Sequence, residues 1–347
     1  MPEWRKDPVV ERWVIISTER SKRPTDYLTA PDACQGCECP LCEGHEEETP
    51  PEIVAFRERE SMANHPGWWV RVVPNKFPAV KIEGGTIKHR HGIYEVMDGF
   101  GAHEVIIETT EHTRLLHEVS PYQMAEVIWA WRYRMLDLRR DRRFKYILLF
   151  KNYGARGGAS LEHSHSQIIA TPMVPADVHE EILGAREYRQ STGACVYCDV
   201  IRQELAEDAR LVHQNESFLS FNPFASRFPF ETWIIPREHQ ADFAAMGEHE
   251  VNALARITLD TLNSLMRTLR HAPYNLVVHT TPVNGGEEHD YHWHIEILPR
   301  LTRMAGFELG TGYFINPTPP EMAAQELRAA PMAGCVGASR EEVPHYV

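Results

Sequence analysis

Two stretches of the chain, "HEVIIETTEH" at 103–112 and "FETWIIPREH" at 230–239, can be laid on one another. Both end in a histidine, His112 and His239, and both carry a glutamate eight positions earlier, Glu104 and Glu231. Each reads as a strand closing on its histidine, and each is followed by a helix. The first helix starts at Ser120-Pro121, a capping residue followed by proline at the first helical position, and carries Met124, Val127, Ile128, Trp131, Met135 and Leu138 at helical spacing. The second carries Val251, Leu254, Thr258, Leu262, Leu265 and Leu269. Such apolar faces are core. Buried-strand runs come next, "YILLF" from Tyr146 and "YNLVV" from Tyr274, and then glycine-bearing loops that end in His163-Ser164-His165 and His292-Trp293-His294. His163 follows His112 by 51 positions and His292 follows His239 by 53, so the same motifs recur in the same order at nearly the same spacing.

This duplication predicts an α+β fold of two tandem repeats, each a mostly antiparallel sheet with a crossing helix. The division falls near residue 176, after Pro172 and Pro175, giving halves of 1–176 and 177–347 that share one continuous sheet or dimerise on each other. An N-terminal arm begins with the strand "RWVIIS". A chain of 347 residues, 43% hydrophobic and 24% charged, has the composition of a packed globular protein. Its net charge of -13 argues against nucleic-acid partners, which need a basic footprint. Basic clusters at Arg20, Lys22 and Arg23 and at 139–143 suit a small phosphate ligand or a solvated face. The opening residues lack an apolar signal core, and no apolar run is long enough to span a bilayer, so the expectation is a cytoplasmic protein without a membrane partner.

Cys34, Cys37, Cys39 and Cys42 fall in "CQGCECPLC", Cys195 and Cys198 form a second pair, and Cys335 stands alone. In a reducing compartment, thiols spaced this way are zinc ligands, because a two-residue spacer aims both sulfurs at one tetrahedral ion. Each half then offers a complete set of two thiolates and two imidazoles: Cys39, Cys42, His112 and His163 in the first, Cys195, Cys198, His239 and His292 in the second. Cys34 and Cys37 have the same spacing as Cys39 and Cys42, and His294 competes with His292. Two closed sites of this kind are structural zinc centres, about two ions per chain, with no open position for substrate. Strand residues two apart share a face, so His165 lies beside the first set with its imidazole free for chemistry.

Seven segments in this order resemble the galactose-1-phosphate uridylyltransferase branch of the histidine-triad superfamily: "DPVVERWVIISTERSKRP", "CPLC", "VPNKFPAV", "HEVIIETTEH", "KNYGARGGASLEHSHSQ", "HWHIEILPR" and "GFELGTGYFINP". The resemblance covers nearly the whole chain and implies two histidine-triad-like halves. It implies that His165 is a nucleophile that takes a nucleoside monophosphate from a nucleotide sugar, leaving a covalent nucleotidyl-histidine for the second substrate's phosphate to resolve. Gln167 and Ser160 would contact the transferred or leaving phosphate, Asn152 would belong to the nucleotide-contacting loop, and the glycines at 154, 157 and 158 would let backbone amides approach phosphate oxygens. By the same resemblance Arg20 and Arg23 clamp phosphates, Asn75 and Phe77 line the base and ribose pocket, Glu308 binds sugar hydroxyls, and the chain is a homodimer.

Two departures mark a subgroup. The better-known members have His-Pro-His-Gly-Gln around the nucleophile and hold iron in the second half with a glutamate and histidines, whereas this chain has His-Ser-His-Ser-Gln and supplies Cys195 and Cys198. Glu181 stands at the offset of the iron-binding glutamate, and Thr302, next to Arg303, takes the place of a lysine. These features are similar to the subgroup that includes ADP-glucose phosphorylases. The expected reaction is transfer of UMP from a UDP-hexose to a hexose 1-phosphate, with transfer of AMP from ADP-glucose to phosphate as the alternative. A histidine-triad hydrolase and a zinc-stabilised binding module are the competing readings from other classes.

Overall fold

A computed structural model of the chain describes residues 3–10, 13–16, 39–283 and 289–330. Arg20, Arg23, Cys34, Cys37 and Cys335 lie outside the described residues. Strands β1 (Glu3–Lys6) and β2 (Trp13–Ile16) open the chain. The first half continues with β3 (Val54–Arg57), β4 (Trp68–Pro74), a small hairpin of β5 (His89–His91) and β6 (Tyr94–Val96), and β7 (Ala102–Ile107). Helix α1 (Pro121–Leu138) follows, started by Ser120, whose hydroxyl accepts the N–H of Gln123 at 3.1 Å, with proline at the first turn. Strands β8 (Tyr146–Tyr153) and β9 (His165–Thr171) complete that half. Helices α2 (Ala176–Thr192) and α3 (Val196–Glu207) lead to β10 (Leu211–Gln214), β11 (Phe218–Phe221), β12 (Thr232–Pro236), α4 (Glu248–Thr268), β13 (Tyr274–His279) and β14 (His294–Pro299). The described chain ends with α5 (Gly306–Thr311), β15 (Phe314–Asn316) and α6 (Pro320–Ala329).

Ten strands form one antiparallel sheet in the order β10-β11-β12-β14-β13-β8-β9-β7-β4-β3. Read outward from its centre, the first half runs β8-β9-β7-β4-β3 and the second runs β13-β14-β12-β11-β10. The two halves are therefore copies related by an internal twofold, and of the two arrangements expected from the repeat the continuous sheet is the one adopted. The central pair is β8 with β13, in register at Leu149 and Val278, Asn152 and Asn275, and Tyr153 and Tyr274. On one face α1 packs against α4, as the twofold requires. Their buried residues, including Met124, Ile128, Trp131, Leu254, Leu262 and Leu265, join Ile106, Ile168, Leu276 and Ile295 of the strands in the principal core. On the opposite face α2 and α3 cover the second half, where Ala185, Tyr197 and Ile201 pack on Leu219, Trp233 and Ile235. The first half carries on that face a smaller cluster around Cys39, Leu41, Trp68 and Ile107. Alternation along each strand sends Ser166 and Ile168 toward the helices, and His165 and Gln167 to the other side.

Candidate active site and metal centres

The nucleophile candidate His165 is the first residue of β9, opposite Ile107 of β7, and is 6% exposed. Its Nδ1 lies 2.7 Å from the carbonyl oxygen of His163. A carbonyl only accepts, so the ring proton sits on Nδ1 and the lone pair is left on Nε2. Burial, and then the charge of Lys151, lower the pKa of this imidazole below its ordinary value. Lys151 is itself buried. Its Nζ donates to Glu108 Oε2 at 2.6 Å, to Ser164 Oγ at 3.0 Å and to the His165 carbonyl at 2.9 Å, while Ser164 donates to the same Glu108 oxygen at 2.7 Å. On the helix side, Ser166 accepts the indole N–H of Trp131 at 2.7 Å. The backbone of the His-Ser-His-Ser run is thus tied down on both sides.

The loop before it supplies small residues where the chain is tight. A Cβ on Gly157 would stand 2.8 Å from the Tyr274 carbonyl, and Gly158 has φ of +85°, a left-handed conformation that glycine adopts without strain. Asn152 Oδ1 accepts from Asn275 Nδ2 at 2.8 Å, and the same Asn275 amide donates to the Gly157 carbonyl at 2.6 Å. A residue of the second half therefore orients the asparagine of the first. Gln167 is half-buried, with Oε1 2.8 Å from His103 Nε2 and 3.4 Å from Asn75 Nδ2. Ser160 and Gly158 are exposed, and the Phe77 ring is 84% exposed, with its N–H donating to Asn75 Oδ1 at 2.9 Å. Glu308 accepts the Ala305 N–H at 3.0 Å as the cap of α5, and among the described residues no hydrogen bond or ion pair links it to the His165 group.

Two Cys2His2 groups form, each with its four ligand atoms within 4.8 Å of one another: Cys39, Cys42, His112 and His163, and Cys195, Cys198, His239 and His292. Zinc bonds of about 2.3 Å to sulfur and 2.0–2.1 Å to nitrogen set a tetrahedral S···N edge of about 3.6 Å. Cys42 Sγ stands 3.4 Å from His112 Nδ1 and 3.5 Å from His163 Nδ1, and Cys198 Sγ stands 3.5 Å from His239 Nδ1 and 3.8 Å from His292 Nδ1. The distant nitrogen of one histidine in each group is bound to a carbonyl, His163 Nε2 to Thr109 at 2.7 Å and His292 Nε2 to Pro236 at 2.9 Å. Those bonds hold the proton on Nε2 and leave Nδ1 for a metal. Both groups fit zinc, and such an ion would fix loops in register. His292, not His294, joins the cysteines.

A third buried group gathers Glu181 of α2, His279 of β13 and His294 of β14. Glu181 is thus not brought to Cys195 and Cys198. His279 lies 3.1 Å from Glu181 and 3.5 Å from Glu296; burial opposes its charge, but the two carboxylates more than offset this and push it up to about 10. His294, the repeat's counterpart of His165, also points Nδ1 at the carbonyl two residues back, at 3.2 Å. It is stacked between Trp233 and His279, and its buried Nε2 has no hydrogen-bond partner among the described residues. Two imidazoles and a carboxylate at this spacing have the reach to hold a divalent ion.

His103, Glu108, Lys151, Asn275 and His279 do not stand out in the sequence. His103 and Glu108 sit inside the repeated stretch, yet only strand pairing places them beside Gln167 and Lys151.

A duplicated α+β sheet that sets a buried imidazole, His165, between a Cys2His2 group and a glycine-bearing loop defines a two-lobed protein of histidine-triad-like design. The chain belongs to the galactose-1-phosphate uridyl transferase family, a family of hexose-1-phosphate nucleotidyltransferases: the family's N-terminal domain matches residues 1–175 and its C-terminal domain residues 181–332. It is 35% identical to an ADP-glucose phosphorylase of Arabidopsis thaliana over 334 residues, covering 94% of this chain and 92% of that protein. It is 31% identical to a galactose-1-phosphate uridylyltransferase of Thermotoga maritima over 340 residues, covering 94% and 98%. The crystal structure of an Arabidopsis thaliana ADP-glucose phosphorylase with bound ADP-glucose superposes with a TM-score of 0.82 at 33% identity, covering 96% of this chain and all of that one. Among the described residues no helix is long and apolar enough to cross a membrane.

Proposed function

We propose that the chain transfers a nucleoside monophosphate from a nucleotide sugar to a phosphate-bearing acceptor by double displacement at His165. The observation that carries this reading is the His165 Nδ1 bond to the His163 carbonyl, which leaves the Nε2 lone pair as the nucleophile. Nε2 attacks the α-phosphorus, the N–P bond forms, and the bond to the departing sugar phosphate breaks. An oxygen of the acceptor phosphate then attacks the same phosphorus, the N–P bond breaks, and the imidazole is released unchanged. Gln167 donates to a non-bridging oxygen of the transferred group, where charge redistributes in both steps. Ser160, Asn152, Gly158 and Asn75 serve the phosphate and ribose, and Phe77 gives the base an exposed ring. Arg20 and Arg23 are proposed phosphate clamps and Glu308 a sugar contact. Zinc at the first Cys2His2 group would hold the loop that leads into His165, and zinc at the second would brace the other lobe.

Two donors have specific support. ADP-glucose, with inorganic phosphate as acceptor, is favoured by the similarity to the plant phosphorylase and by the ADP-glucose bound in its structure. A UDP-hexose with a hexose 1-phosphate acceptor is favoured by the similarity to the Thermotoga enzyme. Intact-protein mass after mixing with each donor separately, beside a His165→Ala control, decides both questions. An AMP-sized or UMP-sized increment that the control lacks names the base; no increment with either donor overturns the covalent mechanism. We further propose a homodimer in a reducing, cytoplasmic compartment, to be checked by the mass of the native protein in solution.

A further inference from the structure

The amide of Gln167 has two sides of opposite chemistry, and only its N–H side serves a phosphate oxygen. Which side faces outward is decided by the neighbours of Oε1. Gln167 on β9 is paired with Val105 of β7, and His103 lies two positions along β7 on the same face, within diagonal reach. His103 Nδ1 receives the backbone N–H of Ala79 at 3.1 Å. A backbone N–H only donates, so Nδ1 carries the lone pair, the ring proton sits on Nε2, and Nε2–H is aimed at Gln167 Oε1 2.8 Å away. Asn75 is fixed in the same manner: its Oδ1 accepts the Phe77 N–H, which turns Nδ2 toward the same glutamine oxygen, beside His103 Nε2 at 3.1 Å. The Asn75 N–H donates to the His103 carbonyl at 2.8 Å and closes the ring of contacts between the 75–79 loop and β7. Two donors converge on Oε1. Turning the amide over would set N–H against N–H and leave two half-buried donors without an acceptor.

We propose that His103 is a positioning residue that holds Gln167 with its N–H groups outward, toward the transferred phosphate. This rests on the assignment of His165 and Gln167 above. The rate of adduct formation on His165 in a single turnover, read by intact mass with whichever donor labels the wild type, measures the effect. His103→Phe keeps a planar aromatic ring, somewhat larger, but has no N–H, and should slow labelling by about 10- to 100-fold, with the half-saturating donor concentration changed only a few-fold. His103→Gln places an N–H near the position of the ring Nε2 and should restore most of the rate. In a Gln167→Ala background, His103→Phe should have no further effect. Undiminished labelling in His103→Phe, no rescue by His103→Gln, or the same loss in both backgrounds would overturn the proposal. Side-chain ¹⁵N resonances of His103 report the tautomer without any reaction: a proton on Nε2 supports the proposal and a proton on Nδ1 defeats it. A wild type that no donor labels sinks the reading of the site instead, a failure the tautomer measurement keeps separate.

Discussion

His165 and His294 share one backbone device, an Nδ1–H turned onto the carbonyl two residues back, and differ in what surrounds the other nitrogen. Burial, then the charge of His279, hold His294 down to about 4, and stacked rings lie on both of its sides. At His165, the first residue of β9, burial and then Lys151 lower the pKa, and the loop before it exposes Gly158 and Ser160. A lowered pKa keeps the Nε2 lone pair available at more acid pH, so the rate of His165 labelling is lost only as pH falls through that lowered value. The acid limb of the single-turnover pH profile should therefore lie below 6.5, the ordinary imidazole value; a limb at or above it contradicts the assignment. The pair of Lys151 and Glu108 is a buried ion pair, and breaking one side of it leaves a charge without a partner. Lys151→Met should cost about 3–5 kcal/mol of stability in a denaturant titration, whereas the double change Lys151→Met with Glu108→Leu should recover most of that loss. Equal losses for the single and double variants would show that the pair itself, and not the orphaned carboxylate, matters.

Each Cys2His2 group brings separate segments of its lobe together, but only the first lies next to the proposed nucleophile, since His163 precedes His165 by two positions. His163→Ala should release its ion and abolish labelling of His165. Cys198→Ser should release the other ion and lower the melting temperature while leaving labelling within about tenfold. Metal analysis beside intact mass reads both, and equal loss of labelling in the two variants would contradict the division of roles. At the level of elements much was legible. The capped start of α1, the apolar faces of α1 and α4, and the strands from Tyr146 and Tyr274 are local patterns, and duplicated spacing ordered them. The match at Glu104 and Glu231 was legible too, although the two use different partners: Glu104 binds Arg134 of α1, and Glu231 binds Arg227 in its own loop. What sequence left open depended on register between distant strands. His292 stands two positions before His294, the first residue of β14, and only the placement of Cys195 and Cys198 separates their roles. His103, Lys151 and Asn275 read as ordinary strand residues until β7, β9, β8 and β13 are paired.

For the molecule as a whole, zinc held at two closed Cys2His2 groups would make its binding energy folding energy. The purified chain should carry two zinc ions, and a strong chelator should lower its melting temperature by on the order of 10 °C. One ion, or no thermal effect, would remove a centre from the account; a third ion would point to Glu181, His279 and His294. The continuous sheet has a different consequence, which concerns synthesis. Strand β8, with eight residues the longest described, is interior only because β13 lies against it. Tyr274 follows Tyr153 by 121 positions, and ribosomes add roughly 5–20 residues per second. The first lobe therefore waits for roughly 6–24 s with a long open edge and the uncovered flank of α1, before the second lobe emerges to close them. A pause in synthesis within that interval would prolong the exposure of the open edge.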